Sequence, residues 1–347
     1  MKRLSRKNKL YHIRVTLKRT KRKQRHKRRS EKLTRVNSQW DEIINAPSVL
    51  SITDKTKRTK FLRFINALQL TCNKHNKKIL LDFSNTSTMI ADAALLFRAH
   101  ICRTVNIIQP SVTIKIRLSS ESKVNEALKQ IGVFSLLNQN PQITLTDPDV
   151  VHWRYAQGTG AEGEKYEEIL GGYDGAITSA LSSGLYLGLT EAMTNTRQHA
   201  YPNRENRSNL DSCGNNEWWM FSQEKDGYLY VVFCDLGIGI PSSLPLKNPN
   251  LWQRLTEKLG KKPSDSEAIK EAIMLSKSRT GKKHRGKGLK QLTSVLEKVE
   301  GGRLVLHSNH GCYTIKCGAQ NAYDYTNKIP GTLISWSLPL QAKEAVY

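Results

Sequence analysis

Apolar positions change period several times along the chain, and each change predicts an element. Residues 57–72 carry Phe61, Leu62, Phe64, Ile65, Leu68 and Leu70 at helical spacing, and residues 40–46 read as a shorter helical piece leading into them. Residues 78–83 are a short apolar run interrupted by Asp82, which predicts a strand, and the polar stretch 84–88 ends it. Residues 89–98 return to a helical pattern, 112–117 alternate as a strand does, and 125–133 predict a helix with Gly132 at its C-terminal cap. Pro141, Asp147–Pro148 and the glycine cluster between 158 and 163 mark a connector.

Beyond the connector, residues 177–200 predict one long helix, since no Pro interrupts it until Pro202. Residues 201–216 are polar and predict a loop. Two apolar runs, 217–222 and 228–234, flank Asp226–Gly227, a strong hairpin signal. Helical stretches follow at 252–259 and 265–275, then a basic, glycine-punctuated stretch at 277–285. A helix over 289–299 is stopped by Gly301–Gly302. Runs at 303–308 and 312–316 flank Asn309–His310–Gly311 and predict a second hairpin, and 333–339 give a last strand. His307, His310, Cys312 and Cys317 invite a zinc site, but strand alternation already accounts for them and no C-x2-C pair is present, so none is predicted.

Composition adds a third region. The 347 residues suffice for about two domains and a tail, and the net charge is +25. Residues 1–35 hold 17 Lys or Arg against the single acid Glu31, so about +16 of that charge lies in the first tenth of the chain. The densest part contains Lys18, Arg19, Lys21, Arg22, Lys23, Arg25, Lys27, Arg28 and Arg29. Charges packed this closely repel, so residues 1–38 predict an arm that is disordered or partly helical when free. On a polyanion such an arm releases counterions, which makes RNA or DNA a candidate partner. Attraction to an anionic membrane surface is the plainer alternative, and Tyr11 offers little stacking. No run of eighteen apolar residues predicts a membrane span, and the basic N-terminus lacks the apolar core of a secretory signal. The six cysteines have no framework spacing and read as buried free thiols, which points to the cytoplasm.

The chemistry centres on the long helix. Glu191, Asn195 and His199 recur at intervals of four, which brings them near one face. A carboxylate one turn before an amide suits deprotonation of water beside a metal-bound phosphate: the carboxylate takes the proton, and the amide oxygen is a hard ligand for Mg2+. After the 228–234 run comes Asp235–Leu236–Gly237–Ile238–Gly239. Gly286–Lys287–Gly288 then opens the 289–299 helix, and Gly331–Thr332 precedes the last strand.

These four boxes, in this order, resemble the ATP-binding domain of the GHKL superfamily, which includes gyrase-type ATPases, heat-shock chaperones, sensor histidine kinases and anti-sigma-factor serine kinases. The resemblance covers roughly residues 150 to 340. It implies an α/β sandwich binding ATP and Mg2+. Asp235 would accept the adenine amino group, with Thr332 buttressing the pocket. Gly237 and Gly239 would allow close approach and hinge a lid over 242–284. Asn195 would ligate Mg2+; Gly286, Lys287 and Gly288 would meet the phosphates. Glu191 would be the catalytic carboxylate. The order strand, turn, helix, strand, helix over roughly 75–140 is similar to the STAS domain of anti-sigma-factor antagonists. In those proteins a Ser after the helix-opening Asp accepts phosphate; here Asp92 is followed by Ala93 and Ala94.

The expected organisation is a basic arm (1–38), a STAS-like domain with a helical lead-in (39–145) and a GHKL-type domain (146–347). The expected function is an ATP-binding regulatory protein, a Mg-dependent ATPase or switch whose lid controls contacts with a protein partner. One alternative is an anti-sigma-type serine/threonine kinase with a separate acceptor protein. The other is a nucleic-acid-binding protein with a structural nucleotide site. Both domain types often form homodimers, and nothing in the sequence fixes this.

Overall fold

The computed structural model describes residues 39–72, 77–108, 111–161, 164–171, 178–202, 216–278 and 288–340. The fold is mixed α/β, with both parallel and antiparallel sheets. The chain runs β1 (Glu42–Asn45), β2 (Val49–Leu50), α1 (Lys55–Cys72), β3 (Lys78–Asp82), β4 (Thr88–Met89), α2 (Ala91–Ile107), β5 (Thr113–Arg117) and α3 (Ser122–Gln130). Strands β1, β3 and β5 form a parallel sheet in the order β1-β3-β5, and β2 pairs with β4. Residues 40–46 therefore hold a strand rather than the expected helix. The β-branched pair Ile43–Ile44 favours extension, and Pro47 disfavours helix at the residue before it. Gly132 has φ of 71° just past α3, as its place at the end of that helix requires.

Short helices α4 (Val133–Leu136) and α5 (Pro148–Val151) lead to β6 (Arg154–Gly158), α6 (Glu164–Leu170) and α7 (Ser179–Asn195), whose end widens into a π turn over Thr196–Ala200. Then come β7 (Trp218–Lys225), β8 (Tyr228–Asp235), α8 (Ile240–Lys247), α9 (Pro249–Leu259), α10 (Asp265–Ser278), α11 (Gly288–Ser294), a 3-10 turn over Val295–Lys298, β9 (Arg303–Lys316) and β10 (Ala319–Pro339). These strands form an antiparallel sheet in the order β6-β7-β8-β10-β9. Part of the expected connector is thus the sheet's edge strand β6. The rest is tied down: Glu126 accepts from the Thr146 and Asp147 amides at 2.8 Å, and Asp149 pairs with both Lys123 and Lys225.

The Asp226–Gly227 hairpin forms, with φ of 52° and 74°. The second expected hairpin does not. Asn309–His310–Gly311 lie inside the continuous strand β9, and the chain reverses at Cys317–Gly318, whose φ values are 48° and 78°. The turn-like residues serve other ends. Asn309, at φ of 53°, sits where the register slips: Ser308 pairs with Thr332 and Asn309 with Ile329, so Pro330 and Gly331 are extra residues on β10. Gly311 lets the start of α10 approach; a Cβ there would lie 2.7 Å from Asp265 backbone.

Both faces of the antiparallel sheet are covered. On one, Trp218, Met220, Val231, Phe233, Ile334 and Trp336 pack with Leu185, Leu189 and Met193 of α7 and Leu292 of α11. On the other, Trp219, Phe221, Val232, Cys234 and Leu333 share a single cluster with α1, α2 and β3. Helix α2 lies on β7, β8 and β10, while its Phe97 meets Phe64 and Phe83 at ring distances of 5.7 and 5.6 Å. Ala93 through Ile101 are all buried, the pattern of a helix covered on every side. The core therefore runs without a break across residue 145.

Candidate functional site

Helix α7 delivers the first pair. Asn195 donates its side-chain amide to Glu191 at 2.7 Å. The Asn195 amide oxygen has no protein donor among the described residues, which leaves it available as a hard ligand. Burial pushes the Glu191 carboxyl above its usual range, and the Asn195 hydrogen bond partly opposes this. His199 lies in the π turn, with its Nδ1 buried and unpartnered and its pKa lowered by burial.

Strand β8 delivers Asp235 at its C-terminal end, 5% exposed. Its Oδ1 accepts from the Gly237 amide at 2.8 Å. Burial drives its pKa up to about 6, against the pull of the Gly237 amide, the Arg103 charge and the Thr332 amide. No cationic side chain of the described residues is hydrogen-bonded to it. A carboxylate buried without a paired cation is costly unless a donor meets it.

Glycines set the spacing of this corner. A Cβ on Gly237 would lie 2.3 Å from the Ala200 carbonyl, and one on Gly331, at φ of 69°, would lie 2.1 Å from the Asp235 carbonyl. The Ala200 carbonyl, freed by the π turn, accepts the Ile238 amide at 2.8 Å. That contact joins the loop after β8 to the turn that ends α7, the helix carrying Glu191 and Asn195. Gly239 has φ of 80° and backs onto Ser308 and Asn309.

Ser308 is a residue the sequence reading missed. Its hydroxyl accepts from the Ile240 amide at 2.9 Å and donates to the Gly331 carbonyl at 2.9 Å. With that proton committed, the Thr332 hydroxyl, 3.1 Å away, is the donor between the two and keeps its own lone pairs. Nothing in a lone Ser inside an alternating run signals this; the signal is the three-dimensional bulge at Gly331. Asn309 completes the hinge by donating to the Ile238 carbonyl at 3.1 Å and to Ser242 at 3.0 Å.

Glu191 and Asn195 are hydrogen-bonded to each other on α7, while Asp235, Gly237, Gly239 and Thr332 meet around the end of β8. Gly288 opens α11, which packs along α7. Gly286 and Lys287 lie outside the described residues, as do the basic-arm residues Lys18, Arg19, Lys21, Arg22, Lys23, Arg25, Lys27, Arg28 and Arg29. Ala93 and Ala94 are fully buried, so that part of α2 presents no surface position. Cys72, Cys102, Cys234 and Cys312 are buried free thiols, while Cys317 is exposed; Cys213 lies outside the described residues. Among the described residues, no three His, Cys, Asp or Glu side chains are grouped to hold a metal, and no helix is long and apolar enough to cross a membrane. Compared with known proteins, the chain matches no family model and no curated sequence.

Proposed function

We propose that the chain is a cytoplasmic ATP-binding regulatory protein of the GHKL type, preceded by a STAS-like unit. Its nucleotide site is formed by Asp235, Gly237, Gly239, Thr332, Asn195 and Glu191. The observation that carries this reading is the buried Asp235 carboxylate, hydrogen-bonded to no cationic side chain of the described residues, on a loop that the Ile238–Ala200 hydrogen bond ties to the end of the helix bearing Glu191 and Asn195. The donor set fits both groups. An unpaired buried carboxylate beside the Thr332 hydroxyl suits an adenine edge, and an amide oxygen without a protein donor suits Mg2+. Bound Mg-ATP would supply the activated phosphoryl group. Glu191 would take the proton of the attacking water. Asn195 would hold the cation, and Gly286, Lys287 and Gly288 would meet the phosphates, as the resemblance implies. The described part of the expected 242–284 lid falls in α8 to α10, and Gly237 and Gly239 would hinge it.

Calorimetry with Mg-ATP and phosphate release on the same sample test this. Asp235→Asn is expected to weaken ATP binding by at least about tenfold, a loss of roughly 1.4 kcal/mol. Glu191→Ala is expected to keep binding and lose release. Binding without release in the wild type would favour transfer to a separate acceptor protein, the kinase reading, to which the burial of Ala93 and Ala94 leaves no acceptor at the corresponding in-chain position. Absence of binding would remove the assignment. For the arm, deletion of residues 1–35 is expected to abolish salt-sensitive binding to RNA or DNA. If binding survives the deletion, the polyanion site lies in the folded part.

A further inference from the structure

The loop that carries Asp235 is held from behind by the N-terminal half of the chain. Arg103, near the end of α2, donates through Nη1 to the Leu236 carbonyl at 2.9 Å and through Nη2 to the Tyr201 hydroxyl at 3.4 Å. The same hydroxyl accepts from the Leu236 amide at 3.0 Å and donates to the Glu217 carbonyl at 2.8 Å. One donated proton and two accepted bonds use the full capacity of a phenol. Both backbone polar groups of Leu236 are therefore taken by side chains, one from α2 and one from the turn after α7. The peptide planes on either side of Leu236 are fixed, and with them the direction of the Asp235 carboxylate and of the Gly237 amide that binds it.

We propose that Arg103 is a positioning residue for the Asp235 site, through which the N-terminal unit sets the affinity of that site for its ligand. The inference rests on the nucleotide reading above for the identity of the ligand, but not for the coupling itself. The charges around Asp235 are few. Arg103 faces it from α2, Tyr201 from the turn after α7, and Cys234 from its own strand. Glu217, ahead of β7, also feels Arg103. On the β10 side, Gly331 and Thr332 offer only backbone and a hydroxyl. Arg103 is the cation of this group. Its Nε and the Glu217 Oε2 are both buried and unpartnered, so the guanidinium is not neutralised by a direct ion pair there.

The test is the pH titration of the Asp235 carboxyl by carbon NMR in the ligand-free full chain, assigned with Asp235→Asn, together with Mg-ATP calorimetry. Arg103→Gln is expected to move the Asp235 midpoint upward from about 6. It is also expected to weaken Mg-ATP binding at pH 7 by about tenfold, with the deficit shrinking as pH rises and Asp235 ionises. Arg103→Lys keeps the charge and is expected to hold the midpoint while losing several-fold in affinity, because an ammonium cannot reproduce the fork. A merely structural residue would lower the melting temperature without moving the midpoint. Arg103→Gln with wild-type melting, midpoint and affinity overturns the proposal. If Arg103→Gln does not fold, Arg103→Lys decides: wild-type affinity with a wild-type midpoint overturns it, and weaker binding supports it. If the wild type binds no Mg-ATP, the nucleotide reading has failed, while the Asp235 midpoint still decides the coupling.

Discussion

Asp235 illustrates a residue whose placement opposes stability. Burial raises its carboxyl from the ordinary 3.8 to about 6, so between about pH 4 and pH 6 the folded chain keeps a proton that the unfolded chain has released. Stability of the ligand-free protein therefore falls as pH rises through that window. Asn at this position carries no such dependence and can still accept the Gly237 amide. Asp235→Asn is expected to raise the stability of the ligand-free protein by about 3 kcal/mol at pH 7.5, with the gain vanishing below pH 4. Thermal melts at the two pH values check this; a destabilised variant at pH 7.5 would mean that Asp235 is structural. Arg58 is also buried, but its donors are met. Its guanidinium donates to the carbonyls of Asn327 at 3.0 Å, Asn309 at 3.3 Å and Ile52 at 3.4 Å, contacts His307, and lies 4.2 Å from the Tyr325 ring centre. Burial lowers its pKa to about 10, which leaves it charged at neutral pH. Arg58→Ala strands these carbonyls and is expected to cost about 3 kcal/mol in urea unfolding. A loss under about 1 kcal/mol would show that water replaces the guanidinium without penalty.

At the scale of elements, sequence patterns were informative where a periodicity had one structural use. The helices at 57–72 and 265–275, the strands at 78–83 and 112–117, and the Asp226–Gly227 hairpin all lie where spacing put them. The failures share a cause. Asn309, His310 and Gly311 have turn composition, yet Asn309 serves a bulge and Gly311 a close helix approach within a straight strand. A polar triplet between apolar runs does not say which of these it does. Residues 40–46 were misread because Trp40, Ile43 and Ile44 fit either period over so short a span, and pairing with β3 decided the matter. Among the candidate site residues, Glu191, Asn195, Asp235 and the glycines stand out in the sequence because each sits in a local spacing. Ser308, Arg103 and Tyr201 were not, since their roles arise between elements far apart in sequence.

At the scale of the molecule, the division expected near residue 145 is crossed by one hydrophobic cluster. Trp219, Phe221, Val232, Cys234 and Leu333 would face water if residues 146–347 were produced alone, and burying each such side chain is worth about 1.5–3 kcal/mol. That fragment is expected to aggregate or to elute as large species on size exclusion, whereas residues 39–347 remain dispersed. A monodisperse, folded 146–347 fragment would show that the first unit is dispensable to the second.

Helix α2, covered on every side, has a kinetic consequence. A helix wedged between two layers cannot fray into solvent without parting both, so its central amides are open to deuterium only when the layers separate. They would exchange in step with those of β8, at the rate of the slowest protons in the chain. A substitution at Phe97 or Ala94 would then be felt at the Asp235 loop as a shorter lifetime of the closed structure, though neither side chain approaches that carboxylate.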